Sequence, residues 1–285
     1  MTNAHPSRWL LAAAGLGLAA LATACQPEDD ATAGAAPQLV VRATDNDYPD
    51  PVEAKAGVAE LVVDNQGQDL HQVALLKLED GKTFDDYLAF AKTATETDPL
   101  PSWAVPAGGP AVAAPGQKAS AFVDLEAGTY AMICRIPDAQ GVPHDKTGMV
   151  KPLTVTAGDG APAEAPAADV DLSLTDFAFA LGGPVAAGRR VVAVANKGQQ
   201  MHEAVLVKLD EGATAMDVAA AFAPGGSGRP PAMPLGGVVG LAGGAAQSFP
   251  VDFTPGRYAL LCFLPDPASG KVHAELGMMS EFDVQ

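Results

Sequence analysis

Every histidine and cysteine after residue 25 falls into two copies of one arrangement. The copies are His71, Cys134, His144 and Met149, then His202, Cys262, His273 and Met278. The first is spaced H-x62-C-x9-H-x4-M and the second H-x59-C-x10-H-x4-M, with a glycine directly before each methionine. Two imidazoles, one thiolate and one thioether form the ligand set of a blue-copper electron-transfer site. Soft sulfur suits Cu(I), imidazole suits both oxidation states, and a weak axial methionine tunes the redox potential.

Each of these residues also has a purely structural interpretation. A lone buried cysteine often serves as a small core residue, and a lone methionine often fills a gap. The repetition favours metal binding, because scattered residues would not recur in one order at nearly the same offsets. A disulfide between Cys134 and Cys262 would have to join the interiors of two domains, so we expect two free thiols, protected from oxidation by metal ligation.

The amino terminus has the features of a secretory signal. A short positive region precedes an apolar run over residues 9–21, and small residues lead to Cys25. A cysteine at this point resembles the lipobox of bacterial lipoproteins, in which the cysteine is diacylated after cleavage. We therefore predict a signal peptide over residues 1–24, a lipid on Cys25 that holds the protein to a membrane outside the cytoplasm, and a tether over 25–36. An ordinary signal peptide with an incidental cysteine is the alternative.

The charge balance of the chain is strongly acidic. Its 34 acidic and 17 basic residues give a formal net charge of −17. Nucleic-acid binding is excluded, because nothing in the chain could neutralise phosphates. An acidic surface suits a basic redox partner through electrostatic steering. It equally suits plain solubility.

The repeat extends well beyond the possible ligands. Segment 39–45 aligns with 170–176, 59–67 with 190–198, 119–125 with 247–253, and 128–134 with 256–262. Short apolar runs separated by Gly, Pro and Asn turns indicate an antiparallel β-sandwich in each copy. We predict a first domain over residues 37–156, a Pro-, Ala- and Gly-rich linker over 157–168, and a second domain over 169–285.

One segment of each copy departs from the β pattern. Residues 83–92 have apolar side chains at helical spacing, and 213–222 are their counterpart, so we predict a short helical insertion in each domain. The segments that follow, 99–115 and 224–244, are rich in proline and glycine. We expect both to be surface loops.

Taken together, these motifs resemble those of the cupredoxins. An Asn-x-Gly turn precedes the first histidine, Gly-x-Tyr begins a strand that ends at the cysteine, and the second histidine and a Gly-Met pair follow in one loop. The resemblance covers both repeats. It implies an all-β chain of two tandem Greek-key β-sandwich domains, each with one type 1 copper site near one end. The stretch from cysteine to second histidine is longer than in plastocyanin-like members and closer to that of copper nitrite reductases.

Enzymatic activity is not expected from these residues. Multicopper oxidases and copper nitrite reductases carry histidines directly beside the type 1 cysteine. In this chain the neighbours are Ile133, Arg135, Leu261 and Phe263, and no histidine of the mature chain is left over. We therefore expect an electron carrier rather than an enzyme.

The surface beside the second histidine of each copy is the expected docking patch for a redox partner. Its apolar residues are Val142, Pro143, Val272 and Leu276. Two other functions stay open at this point: a copper-holding or chaperone lipoprotein, and a copper-free binding scaffold.

Overall fold

The computed structural model describes residues 34–95, 98–158, 163–223 and 229–285. The predicted signal peptide, the lipidation site Cys25 and most of the predicted tether lie outside the described residues. Within the described ranges, no helix is long and apolar enough to span a bilayer.

In the described part of the first half, the chain forms nine strands and two short helices. The strands are β1 (Gly34–Ala35), β2 (Gln38–Ala43), β3 (Val52–Lys55), β4 (Gly57–Asn65), β5 (Ala74–Leu78), β6 (Ala104–Gly108), β7 (Lys118–Leu125), β8 (Gly128–Ile133) and β9 (Val150–Thr156). The helices are α1 (Phe84–Ala91) and α2 (His144–Thr147). Helix α1 confirms the first predicted insertion, and a capping box formed by Thr83 and Asp86 starts it.

The second half repeats this order. Its strands are β10 (Ala163–Glu164), β11 (Val170–Thr175), β12 (Ala178–Leu181), β13 (Gly188–Asn196), β14 (His202–Leu209), β15 (Ala232–Leu241), β16 (Ala246–Phe253), β17 (Gly256–Leu261) and β18 (Met279–Val284). Helix α3 (Ala215–Phe222) is the second insertion, and a 3₁₀ turn spans His273–Leu276.

Each half is a sandwich of two sheets, as the repeat predicts. One sheet of the first half has the order β3-β9-β8-β5-β6, and its counterpart in the second half has the order β15-β14-β17-β18. Both face a seven-stranded sheet with the order β12-β11-β13-β16-β7-β4-β2. Strand residues alternate between buried and exposed, as on β11, where Val170, Leu172 and Leu174 point inward. Both halves thus have the β-sandwich architecture that the sequence pattern predicts.

The sheets are mixed rather than antiparallel throughout. Strand β2 pairs with β4 in parallel, β11 pairs with β13 in parallel, and β3 pairs with β9 in parallel. Apolar alternation along a strand reports which face is buried but not the direction of the neighbouring strand. For this reason the sequence pattern could not reveal these three pairings.

The two segments expected to be loops contain strands. Strand β6 lies within 99–115 and pairs with β5, and β15 lies within 224–244 and pairs with β14. Their glycines are needed at irregularities of these strands. A Cβ atom on Gly109 would lie 2.1 Å from the Val73 oxygen, and one on Gly237 would lie 1.8 Å from the Ala204 oxygen. High glycine content therefore marks a bulged strand here, not a loop.

The two halves share a seam. Strand β7 of the first half pairs with β16 of the second, which joins both halves in the seven-stranded sheet. Beside that pairing, the Val239 amide donates to the Gly109 oxygen at 3.0 Å. The Gln247 side chain accepts from the Gly109 amide and donates to the Ala107 oxygen, both at 3.1 Å. The described residues thus belong to one compact unit, with the metal-ligand candidates of both copies inside it.

Candidate metal centres

In the first half, the structure brings together three of the predicted ligands. His71, Cys134 and His144 are buried, and one potential ligand atom from each lies within 4.8 Å of the others. The Cys134 sulfur lies 3.5 Å from Nδ1 of His144 and 4.0 Å from Nδ1 of His71. The same ring nitrogen of both histidines therefore faces the sulfur.

The second half forms the equivalent cluster from His202, Cys262 and His273. All three side chains are fully buried. The Cys262 sulfur lies 3.3 Å from Nδ1 of His273, and Nδ1 of His273 lies 3.1 Å from Nδ1 of His202. Two clusters of the same composition and similar geometry thus occur in one chain. Cys134 and Cys262 are both free thiols.

The ends of strands β8 and β9 hold the first cluster. Cys134 directly follows β8, His144 is the first residue of α2, and Met149 directly precedes β9. The Cys134 amide donates to the Met149 oxygen at 3.2 Å, and the Met149 amide donates to the His144 oxygen at 2.8 Å. A further bond, from the Asp145 amide to the Cys134 oxygen at 2.8 Å, closes the loop. The buried Met149 is thereby fixed beside the cluster, where an axial ligand was predicted.

The second loop repeats these bonds. The Cys262 amide donates to the Met278 oxygen at 3.3 Å, and the Met278 amide donates to the His273 oxygen at 2.9 Å. The Ala274 amide donates to the Cys262 oxygen at 2.8 Å. Met278 is fully buried, as Met149 is. Their role as thioether ligands stays a prediction, as does the ligand role of the six histidines and cysteines.

A carboxylate that the sequence analysis did not single out orients the upstream histidine of each half. Asp45 Oδ1 lies 3.2 Å from Nε2 of His71, and Asp176 Oδ1 lies 2.9 Å from Nε2 of His202. A carboxylate on one ring nitrogen fixes the tautomer and directs the other nitrogen toward a metal. Because Nε2 carries the proton toward the carboxylate, Nδ1 is left as the free donor atom.

The Asn-x-Gly turn makes room for this carboxylate. A Cβ atom on Gly67 would lie 2.2 Å from Asp45 Oδ1 and 2.9 Å from Nε2 of His71. On the equivalent Gly198, it would lie 2.4 Å from Asp176 Oδ1. Only glycine leaves space for the contact between carboxylate and imidazole. The sequence signal was present, since both aspartates and both glycines recur at matching positions of the repeat.

The electrostatics of the clusters favour neutral groups in the absence of a cation. Burial raises the pKa of the Cys134 thiol to about 12, and burial also raises the pKa of Cys262. Burial lowers the pKa of His71 and of His273. Neutral imidazole is the form that binds metals, and a bound metal would replace the thiol proton.

The second cluster gives a direct test of whether a metal fits. His202 Nε2 faces Asp176, and His273 Nε2 faces the Oε1 atom of Gln200 at 3.0 Å. The Gln200 amide nitrogen donates to Asp266 at 3.0 Å, so Oε1 accepts from His273. Both Nδ1 atoms then carry lone pairs and face each other at 3.1 Å. Two facing lone pairs repel unless a cation lies between them, so this donor set fits a metal ion.

The two sites differ in the residue that follows the upstream histidine. Glu203 stands in the second half and Gln72 in the first, and both side chains are buried. The Glu203 amide lies 3.5 Å from the Cys262 sulfur, and its carboxylate accepts from the Phe263 amide at 2.7 Å. Burial raises the pKa of Glu203 to about 7. A buried carboxyl group on the residue that follows the upstream histidine therefore distinguishes the second site.

The first ligand loop has an attachment of its own to helix α1. Lys146 donates to the backbone oxygens of Ala91 and Ala94 at 2.7 and 2.8 Å, at the carboxyl end of that helix. Asp145 lies 3.4 Å from the Arg135 guanidinium through one oxygen. Helix α1 thus restrains the loop that carries His144.

Comparisons with known proteins found similar solved structures at low sequence identity. No family model and no curated protein matches the chain. Among solved structures, auracyanin from Roseiflexus castenholzii is 17% identical over 43% of this chain and 99% of its own, with a TM-score of 0.30. Auracyanin A, a blue copper protein from Chloroflexus aurantiacus, is 15% identical over 42% of this chain and 99% of its own, with a TM-score of 0.30. A multicopper oxidase is 15% identical over 87% of this chain and 88% of its own, with a TM-score of 0.25.

One expectation from the sequence requires correction. The lack of further histidines led us to expect that the chain is not an enzyme. A multicopper oxidase, however, is among the structures that match most of this chain's length. The number of histidines bears only on catalytic copper sites that are formed within one chain. It was therefore not sufficient to exclude enzymatic activity. The prediction of a non-enzyme was wrong, and we do not retain it.

Proposed function

We propose that this protein is a copper-binding electron-transfer protein with one type 1 copper site in each half. His71, Cys134, His144 and Met149 would hold copper in the first half. His202, Cys262, His273 and Met278 would hold it in the second. The observation that carries this proposal is the pair of buried clusters in which ligand atoms of two histidines and one cysteine lie within 4.8 Å of one another.

The chemistry of the donor atoms supports copper over other ions. Two imidazoles and a thiolate with a weak axial thioether make the donor set of blue-copper electron-transfer sites. When bound, copper supplies one-electron exchange between Cu(I) and Cu(II). The protein fixes the positions of the donor atoms through the Asp45 and Asp176 carboxylates and the hydrogen bonds of the ligand loops. It excludes water from the donor atoms because every donor residue is buried.

We further propose that the protein works outside the cytoplasm, anchored to a membrane by lipid on Cys25. Support comes from the apolar signal followed by small residues and Cys25, and from free thiols that would need a metal in an oxidising compartment. Two acyl chains are needed for stable anchoring. The net charge of −17 favours a basic redox protein as partner.

Copper content and the visible spectrum test the first proposal. The protein is loaded with copper, and copper per chain is measured together with the absorption of the oxidised form. We expect two coppers per chain and an intense thiolate-to-copper band. Cys134→Ser and Cys262→Ser should each remove about half of that band, and the double variant should be colourless.

The other outcomes identify the alternatives. Tight Cu(I) binding without the band would indicate a copper-holding or chaperone protein. No copper binding would indicate a copper-free scaffold. For the anchor, Cys25→Ser should release the protein from the membrane fraction or leave an unprocessed precursor, and membrane association with normal processing would contradict lipidation.

A further inference from the structure

The surroundings of the downstream histidine differ between the two sites, although the ligand sets are the same. Gln200 of the second half stands where the first half has Asp69, and Phe177 stands where the first half has Asn46. Phe177 and Asn46 share a left-handed backbone conformation, with φ of 67° and 65°. The two turns therefore match in backbone but present different side chains.

In the second site, these side chains close off the ring of His273. Gln200 Oε1 accepts from His273 Nε2 at 3.0 Å, and Asp266 holds the Gln200 amide in place. The Phe177 ring packs edge to face against His273, with 5.1 Å between ring centroids. Since Nδ1 faces the sulfur, Nε2 is the only ring nitrogen through which this histidine could reach the surface. That route is blocked.

In the first site, the equivalent ring edge has no hydrogen-bonded cap of this kind, although only 1% of His144 is exposed. Asn46 turns to Thr147, which donates to it at 2.7 Å. His144 Nε2 has no hydrogen-bond partner among the residues that the structure describes. In those same ranges, the sole fully buried side-chain nitrogen or oxygen without a partner is Asp145 Oδ1. His144 Nε2 is therefore not held by a side-chain partner as His273 Nε2 is held by Gln200.

The two predicted patches also differ in which apolar side chains reach the surface. Val142 is 39% exposed, which places it among the few large apolar side chains that are clearly on the surface. Its counterpart Val272, and Leu276 beside it, are only partly exposed, and Pro143 is buried. An exposed apolar residue beside an uncapped ring nitrogen suits contact with a redox partner.

From these differences we propose that the two sites have unequal roles, an inference that rests on the proposed copper function. The first site exchanges electrons with external partners through the uncapped edge of His144. The second site is closed by Gln200 and Phe177, which set its access without contacting copper. In the exchange, a reduced one-electron donor loses one electron and Cu(II) at the first site becomes Cu(I), with no bond formed or broken.

The kinetic test uses single-site variants loaded with copper. Cys262→Ser keeps the first site and Cys134→Ser keeps the second. Each oxidised variant is mixed with hexaammineruthenium(II), a one-electron reductant, and loss of the visible band is followed by stopped flow. The potential of each site is measured on the same samples, so that rates are compared at equal driving force. We expect reduction of the first site to be at least about tenfold faster.

Exchange of the covering residues tests the cause of that difference. Phe177→Asn with Gln200→Asp, in the Cys134→Ser background, gives the second site the residues of the first and should raise its rate toward that of the first. Gln199→Asp is the matched control, because it makes the same change one residue away on an exposed side chain. Equal rates for the two sites, or a rate unmoved by the double exchange, would overturn the inference.

A second readout needs no copper. Diethyl pyrocarbonate modifies accessible imidazole nitrogens, and peptide mass mapping of the metal-free protein locates the modified histidines. His144 should react and His273 should be protected until Phe177 and Gln200 are exchanged. Equal reactivity of the two histidines would overturn the inference even if both sites bind copper. Absence of copper and of the visible band in both single-site variants would instead refute the proposed function, and the unequal roles with it.

Discussion

Removal of the Asp45 carboxylate should weaken metal binding at the first site without touching any metal ligand. In Asp45→Ala, His71 loses the acceptor that lies 3.2 Å from Nε2, so the ring is free to rotate and to change tautomer. Loss of such an outer partner typically lowers metal affinity 10- to 100-fold, or about 1.4–2.7 kcal/mol. The Asp45 side chain is 39% exposed, which places the expected loss near about tenfold.

The second site should lose more from the same change. Asp176 lies closer to its histidine, at 2.9 Å, whereas two backbone amides hold each of the two carboxylates in the same way. The loss in Asp176→Ala should therefore exceed that in Asp45→Ala within the same range.

Competition with a Cu(I) chelator measures both losses. Asp45→Ala is made in the Cys262→Ser background and Asp176→Ala in the Cys134→Ser background, so that one site is titrated at a time. Asp69→Asn serves as the control for the first site, because Asp69 contributes charge near His71 but no side-chain hydrogen bond to it. Gly67→Ala should reproduce the Asp45→Ala loss, since the added Cβ atom would displace the carboxylate. Unchanged affinity in Asp45→Ala, or an equal loss in Asp69→Asn, would refute the orienting role.

Three other changes have defined outcomes. In the metal-free protein, the raised pKa of Glu203 means that the folded state holds the carboxyl proton more tightly than the unfolded state does. The resulting stability is fully present below about pH 4.5 and is lost as the pH rises through about 7. Glu203→Gln should remove this loss of stability, which is about 3 kcal/mol. Denaturant unfolding of the wild type and the variant at pH 5 and pH 8 measures it, and parallel pH profiles of the two proteins would contradict the prediction. Met149→Leu and Met278→Leu should keep the visible band and raise the reduction potential of the altered site, as measured by voltammetry. Loss of the visible band would show that the methionine binds copper more strongly than an axial thioether does. Gln247→Ala should lower the free energy of unfolding by about 1–3 kcal/mol, because two partly buried hydrogen bonds at the seam are lost. An unchanged midpoint would show that water replaces them.

The predictable parts of this structure are those that depend on short-range pattern. Helix α1 follows from the apolar spacing of residues 83–92 together with the Thr83 and Asp86 capping pair, both of which are visible in the sequence. The grouping of His71, Cys134 and His144 follows from the repetition, because a chance arrangement would not occur twice. These features require no knowledge of which strands become neighbours.

The parts that could not be predicted depend on contacts between distant segments. Asp45 and His71 are 26 residues apart, and the fold alone brings the carboxylate to the ring. Gln200 and His273 are 73 residues apart, so the closure of the second site leaves no local signature. The sequence pattern predicts a loop at strand β15 because glycine is unfavourable in regular strands, whereas the glycines of β15 occupy positions with φ of 103°, 116° and 62° that other residues rarely adopt.

The seam gives a physical reason why the two copies occur as a pair. Separation of the halves would expose the edges of β7 and β16 and would leave unpaired backbone groups around Gly109 and Val239, which invite aggregation. It would also uncover apolar residues of both halves that pack in one continuous cluster, among them Leu76, Val205 and Val239. Because the seam fixes both halves in one unit, the ligand clusters are held at a constant separation. The two copies can then diverge at residues around the ligands, namely Gln200, Phe177 and Glu203. These residues alter access to the second site and its charge without changing the ligands themselves.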